Sequence, residues 1–366
     1  MTISLCMIVK NEEQNLRNCL DSVRDFVDEI NIVDTGSTDS TVEIAREYTD
    51  RVFFFEWVDD FSAARNFSFS KATKEYIMWL DADDIIDEKN LKKLIKLKSK
   101  YKGNDGCITL SYIIAMDDEG KPSLTALRER IVKNHSGYKW QRTVHEQLIG
   151  PGPVTNWDAA VTHTKKQDDS FIGRNLGILE KTVNSPNCTP LDNYYYGILL
   201  NGLKRYKEAV EQLNLFIKNN KDESFTGIDA FVAVYNAYIA LGDYENAYKV
   251  LAENERVNRD KSEYYCLLGY FIMNFLKDYK LAVTYFEKAL KCTGKEADLK
   301  VSLQRYERYY YFEPLNYLGQ CYTKLGLFEK ARDAYVESMQ YSEDNTETEK
   351  LLAILNKIIE LGKLQN

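Results

Sequence analysis

Apolar and polar positions alternate with two distinct periods along the first half of this 366-residue chain. Ile3 to Val9 is a continuous apolar run and predicts a strand. Leu16, Leu20, Val23 and Val27 then recur at helical spacing, with Asn11 placed to cap that helix and Gln14 three residues later. Glu29 to Val33 predicts a second strand ending at Asp34. Thr35-Gly36-Ser37-Thr38-Asp39 reads as a turn, and a helix over 39–48 carries Val42 and Ala45. Arg51 to Phe55 predicts a third strand, Phe61 to Ala72 a helix, and Tyr76 to Leu80 a buried fourth strand. Strands and helices alternating at this pace predict a parallel sheet with right-handed crossovers. After residue 105 the pattern is strand-rich, over Cys107 to Ile114 and Leu127 to Val132. Arg128 and Arg130 alternate there with apolar neighbours and are expected to share one face, toward phosphate or solvent.

The fourth strand ends in Asp81-Ala82-Asp83-Asp84. Carboxylates crowded beside an apolar strand are costly unless a cation compensates. In open α/β sheets ligands sit at the carboxyl ends of strands. Asp81 and Asp83 are therefore candidates to hold Mg²⁺ or Mn²⁺, which favour oxygen ligands and share them with phosphates. Asp84 or Asp87 is expected to cap the following helix. That helix, from Lys89 to Lys102, carries seven lysines with Leu91, Leu94 and Ile95 on one face, the pattern of a solvated amphipathic helix. Asp34, at another strand end, is placed to accept from a ribose hydroxyl or a base N–H, or to be a plain turn residue. Arg65 can bind pyrophosphate or pair with an acid such as Asp60.

Composition narrows the class. Apolar content of 44% and charged content of 28% mark a globular chain, and a net charge of −8 argues against a nucleic-acid partner. Seven scattered cysteines without a Cys-x-x-Cys pair fit a reducing, cytoplasmic setting, and no stretch is long enough to span a membrane. No Gly-x-Gly-x-x-Gly or P-loop pattern occurs, so dinucleotide and P-loop functions lose support. The Trp residues all precede residue 158 and Tyr is dense after 190. That shift suggests two domains, 1–185 and 186–366.

The motifs Met7-Ile8-Val9-Lys10-Asn11-Glu12-Glu13, Ile32-Val33-Asp34-Thr35-Gly36-Ser37-Thr38-Asp39, Ala64-Arg65-Asn66 and Leu80-Asp81-Ala82-Asp83-Asp84, in that order, resemble the family 2 glycosyltransferases over about the first 165 residues. The resemblance implies a Rossmann-like GT-A domain with a mostly parallel sheet, using a nucleotide-diphosphate sugar such as UDP-GlcNAc or UDP-Glc. It implies nucleotide-sugar contacts at Asn11, Glu12 and Asp34, with Arg65, Asp81, Arg130 and His145 as further contacts. It implies a carboxylate base after the metal motif, for which Glu146 in Val144-His145-Glu146 is the candidate, with His145 orienting it or the substrate. His163 matches the late histidine that serves as a third metal ligand beside Asp81 and Asp83. Gly150-Pro151-Gly152-Pro153, between the two histidines, is a mobile lid or a hairpin connection.

From about Leu191 the chain turns helical. Leu315, Leu318, Gly319, Tyr322, Gly326, Phe328, Ala331 and Tyr335 fit the tetratricopeptide pattern. Weaker copies are marked by Ala209, Ala247 and Ala282, with Leu213, Leu251 and Phe286 four residues on, and an inserted segment is expected near Gly294 to Tyr311. The expectation is an α/β transferase domain followed by an all-α solenoid. Its activity would be metal-dependent, inverting transfer to a Ser, Thr or Cys side chain of a polypeptide docked on the repeats. A cell-surface polysaccharide or lipid-linked glycan acceptor, an adaptor with an inactive transferase half, and a nucleotidyltransferase are the competing readings.

Overall fold

The computed structural model of the protein forms two compact units, Met1–Thr182 and Val183–Asn366. The structure describes every residue except 104, 117–121, 165–169, 220–225, 254–260, 293–310, 343–344 and 365–366.

The first unit is built on ten strands: β1 (Ile3–Val9), β2 (Glu29–Asp34), β3 (Val52–Phe54), β4 (Tyr76–Trp79), β5 (Asp84–Ile85), β6 (Cys107–Met116), β7 (Pro122–Lys133), β8 (Lys139–Gln141), β9 (Gln147–Ile149) and β10 (Val154–His163). Eight form one sheet in the order β3-β2-β1-β4-β7-β6-β10-β5, while β8 and β9 pair separately. The first four sheet neighbours are parallel. Beyond β4 the sheet is mixed: β7 runs antiparallel to β4 and β6, β10 parallel to β6, and β5 antiparallel to β10. Helices α1 (Leu16–Val23), α2 (Thr41–Tyr48), α3 (Phe61–Phe69), α4 (Glu88–Lys100) and α5 (Ser170–Val183) complete the unit.

Strand β4 shows why an unbroken apolar run forms here. Tyr76 and Met78, with Leu80, join the cluster holding Leu5, Leu16, Leu20 and Ile131 on one face. Ile77 and Trp79 join Phe69, Val132 and Trp140 on the other. A strand covered on both faces has no polar side, so period-2 alternation disappears. The chain then leaves the sheet core directly into the acidic turn.

One expectation is corrected and another is resolved. Asn11 does not cap α1: its backbone is left-handed at φ 55°, and the helix begins at Leu16, after Glu12 O accepts from the Asn15 and Leu16 amides. Of the acids proposed to cap α4, Asp87 does so by accepting from Asn90 N, whereas Asp84 lies buried in β5. The Gly150–Pro153 segment links β9 to β10 and is pinned rather than free. Pro153 O accepts from the amides of Gly106 and Cys107, and a Cβ on Gly150 would lie 2.3 Å from the Tyr138 ring.

The second unit consists of α6 (Pro190–Gly202), α7 (Tyr206–Asn219), α8 (Thr226–Ala240), α9 (Tyr244–Glu253), α10 (Ser262–Phe271), α11 (Tyr279–Lys291), α12 (Phe312–Lys324), α13 (Phe328–Ser338) and α14 (Thr346–Leu364). Of these, α6–α7, α8–α9, α10–α11 and α12–α13 form tetratricopeptide-like hairpins, and α14 follows them. The marker residues Ala209, Ala247, Ala282 and Ala331 are all fully buried. In three pairs a glycine on the first helix faces the large residue four positions after the marker alanine. An added Cβ would meet Leu213 from Gly197 at 2.6 Å, Phe286 from Gly269 at 2.7 Å, and Tyr335 from Gly319 at 2.7 Å. The turns after α8 and α12 use Gly242 and Gly326 at φ 71° and 72°, whereas Lys204 and Lys277 take the left-handed position elsewhere. The expected insertion near Gly294 to Tyr311 lies almost entirely outside the described residues. Because the Tyr335 ring has no room to retreat, Gly319→Ala should lower the stability of the repeat unit by about 1–3 kcal/mol. Urea unfolding followed by circular dichroism checks this, and an unchanged midpoint would show that the ring moves aside freely.

Candidate active site

The acidic turn after β4 is closed by short-range geometry. Asp84 N donates to Asp81 O at 3.1 Å, and Asp84 Oδ2 accepts from Asp81 N at 3.1 Å. Strand β5, only two residues long, pairs with the end of β10 so that His163 lies directly across from Asp84. Thr164 fastens that end by donating its amide and hydroxyl to Asp83 O. Asp83, Asp84 and His163 thereby converge, with one potential ligand atom from each within 4.8 Å of the others. His163 Nδ1 lies 3.6 Å from Asp83 Oδ1 and 3.8 Å from Asp84 Oδ1.

The donor set fits a hard divalent cation. Asp84 Oδ1 and His163 Nδ1 are buried and have no hydrogen-bond partner, and a buried unpaired polar atom is costly unless something completes it. Two carboxylates and an imidazole can ligate a divalent cation. Burial and the charges of Asp81 and Asp84 push the Asp83 carboxyl up to about 6, against the pull of His163, while Glu12 adds to the rise. Burial alone would raise Asp84, but the Arg130 cation and hydrogen bonds hold it below the usual carboxylate range. The adjoining Asp84 carboxylate raises His163.

The sequence reading placed Asp81 in this group; the structure brings Asp84 there instead. Asp81 Oδ1 accepts from Arg65 Nη2 at 2.7 Å. Arg65 pairs with Asp81 and Glu146 and not with Asp60, which caps α3 by accepting from Ala63 N. Arg130 does not lie on a solvated strand face. It is fully buried, donates to Asp84 Oδ2 at 2.9 Å, and stacks over Trp79 and Tyr112 at 3.9 and 4.5 Å. The register of β6 against β7 slips between Ile108 and Thr109, whose partners are Ile131 and Glu129, leaving Arg130 as the extra residue. A bulge re-aims a side chain, and here it breaks the expected alternation with Arg128.

Segment 140–146 is hung on α3. Asn66 exchanges two hydrogen bonds with the Trp140 backbone, Phe61 N donates to Thr143 O, and Arg65 Nε donates to Glu146 Oε1 at 2.7 Å. The Arg65 guanidinium packs beside the rings of Trp79 and Trp140, at 4.9 and 4.8 Å. Arg142 and His145 both have positive φ, 88° and 54°; strained backbone of this kind clusters at working sites. Arg174 of α5 sits over the Phe61 ring at 4.8 Å and feels the charges of Glu146 and Glu12. Sequence reasoning missed Arg174, which belongs to no motif.

The remaining residues lie at the carboxyl ends of β1 and β2. Asn11 Oδ1 accepts from Thr38 N at 2.8 Å, and Ser37 Oγ accepts from Asn11 N. Glu12 N donates to Thr41 Oγ1. Asp34 is buried and accepts from the amides of Gly36 and Ser37, the bonding of a turn aspartate. These residues lace the two strand ends into one rim.

Residues 4–151 match the model of glycosyl transferase family 2. The domain they form belongs to that family. A TPR repeat-containing protein of Synechococcus elongatus is 37% identical over 145 residues, covering 39% of this chain and 34% of its own. The glycosyltransferase SunS of Bacillus subtilis is 26% identical over 257 residues, covering 66% of this chain and 60% of its own. This chain thus spans about a third and three-fifths of those two relatives. Among solved structures, S. aureus TarS 1–349 in complex with UDP-GlcNAc aligns with TM-score 0.39 at 16% identity, covering 70% of this chain and 92% of that one. Among the described residues no helix is long and apolar enough to cross a membrane.

Proposed function

We infer that the protein is an inverting glycosyltransferase that takes a sugar from a nucleotide-diphosphate donor, UDP-GlcNAc or UDP-Glc, and places it on a polypeptide hydroxyl or thiol. The observation that carries this reading is the convergence of Asp83, Asp84 and His163, with two buried ligand atoms lacking partners, at the strand ends of a family 2 domain. These three residues would hold Mn²⁺ or Mg²⁺. When bound, the ion neutralises negative charge developing on the leaving nucleotide diphosphate.

The protein's own groups do the rest. The Asn11–Glu12 and Asp34 rim borders the nucleotide. Glu146 accepts the proton of the acceptor hydroxyl or thiol as that atom attacks the anomeric carbon from the face opposite the nucleotide. The bond to the diphosphate oxygen breaks and the anomeric configuration inverts. A carboxylate is a weak base for this task, so positive character at the anomeric carbon must assist. The tetratricopeptide-like unit would dock the polypeptide, the usual role of such solenoid surfaces.

A panel of nucleotide sugars with Mn²⁺, scored for donor hydrolysis and then for transfer to Ser-, Thr- and Cys-containing peptides, tests the reading. Turnover of no donor would overturn it. The acid group also sets a pH dependence. A metal ligand must be deprotonated, and Asp83 titrates at about 6 while His163 is raised as well. Mn²⁺ affinity should therefore fall as pH drops from 7.5 through 6 toward 5. Calorimetric titration at those values checks this, and a constant affinity would remove these residues from the ligand set.

A further inference from the structure

Arg65 joins the acidic turn to segment 140–146 by two charged hydrogen bonds. Its Nη2 donates to Asp81 and its Nε to Glu146, both at 2.7 Å. The side chain is almost wholly buried, while Asp81 is 37% and Glu146 15% exposed. A buried cation that binds one part-exposed acid and one largely buried acid is not arranged for stability alone, because the same core volume would be filled more cheaply by an apolar side chain. The guanidinium also lies against a tryptophan corner. Trp79 and Trp140 meet each other edge to face at 4.9 Å and 85°, and their ring centroids lie 4.9 and 4.8 Å from it. A planar fork packed against that corner can serve two carboxylates through separate N–H groups, which an ammonium cannot do in the same geometry.

We propose that Arg65 is a positioning residue that aims the Glu146 carboxylate and ties it to the end of β4 through Asp81. The role deepens the reading of Glu146 as the base. Burial would raise the Glu146 carboxyl, but the Arg65 cation and its hydrogen bond hold it below the ordinary glutamate range, with His145 adding to the fall. The other charge that faces Glu146 from a packed element is Arg174 of α5. Arg65 itself is held charged by its two acids. A base pulled down in this way is weaker but is always ready, and its orientation is set by Arg65 rather than by the acceptor.

The test is a direct titration of the Glu146 carboxyl, which does not depend on activity. Protein labelled with ¹³C at glutamate carboxyls is followed by NMR, and the Glu146 signal is identified by its loss in Glu146→Gln. In the unaltered protein it should titrate below about 4.3, the ordinary value. In Arg65→Met, burial persists without the cation, so the signal should move up through and past that range. Arg65→Lys should fall between, since one ammonium cannot span both acids with separate N–H groups. A wild-type value at or above the ordinary one, or no movement in the variants, overturns the proposal. If Arg65→Met does not fold by circular dichroism, Arg65→Lys against wild type decides alone. Full activity in Glu146→Gln would instead overturn the base reading while leaving this titration intact, so the two failures are separable.

Discussion

Asp83→Ala is expected to abolish sugar transfer and all divalent-dependent nucleotide binding while the protein stays folded. Asp83 offers an oxygen to the cluster with Asp84 and His163, and Asp84 is already committed to Arg130 through its other oxygen. Two remaining ligands, one of them half-spent, leave a poor site for a hard cation. The sign of the stability change separates this from unfolding. The folded-state pKa of Asp83 is raised to about 6 from 3.8, so its ionised form opposes folding above that pH, and the opposition fades as pH falls. Removing the acid should hold or raise the melting temperature of the metal-free protein at pH 7 and erase the rise that Mn²⁺ gives the wild type. Thermal melts with Mn²⁺ and with EDTA read both. Full activity in the variant would remove Asp83 from the site.

Glu146→Gln should lower the chemical rate by about two to four orders of magnitude, the usual worth of a positioned general base. Glutamine keeps the size and can still accept from Arg65 Nε, so the packing of Arg65 on Trp79 and Trp140 and the fold of segment 140–146 should persist. Single-turnover transfer at saturating donor separates chemistry from binding, and donor affinity should change little. Unimpaired chemistry with collapsed donor binding would make Glu146 a donor contact and move the base elsewhere.

The strands that carry the site were legible because β1 and β4 are largely apolar runs and β2 carries Ile30, Ile32 and Val33, and each leads into polar residues at its carboxyl end. The acid turn after β4 was legible for the same reason. Its internal division of labour was not. Asp84 and His163 meet only because β5, a two-residue strand with no pattern of its own, pairs with the far end of β10. Arg130 looked like a surface partner of Arg128 because period-2 reasoning cannot see a bulge. Asn11 looked like a helix cap because Asn is favoured there, yet a left-handed backbone is also an asparagine habit, and tertiary bonds to Ser37 and Thr38 select it. Arg65 needed partners 16 and 81 residues away, a separation that no local pattern encodes. The repeat unit was the most readable region, since its marker alanines, glycines and aromatics fill one another's space and so must keep their spacing.

The central claim is that Asp83, Asp84 and His163 build a cation site that recruits a nucleotide diphosphate. Calorimetric titration of UDP into wild type and His163→Ala, each with Mn²⁺ and with EDTA, tests it most directly. The account predicts UDP binding by the wild type with Mn²⁺, and its loss both in EDTA and in His163→Ala. UDP binding of equal strength in EDTA, or undiminished Mn²⁺-dependent binding by His163→Ala, would contradict it.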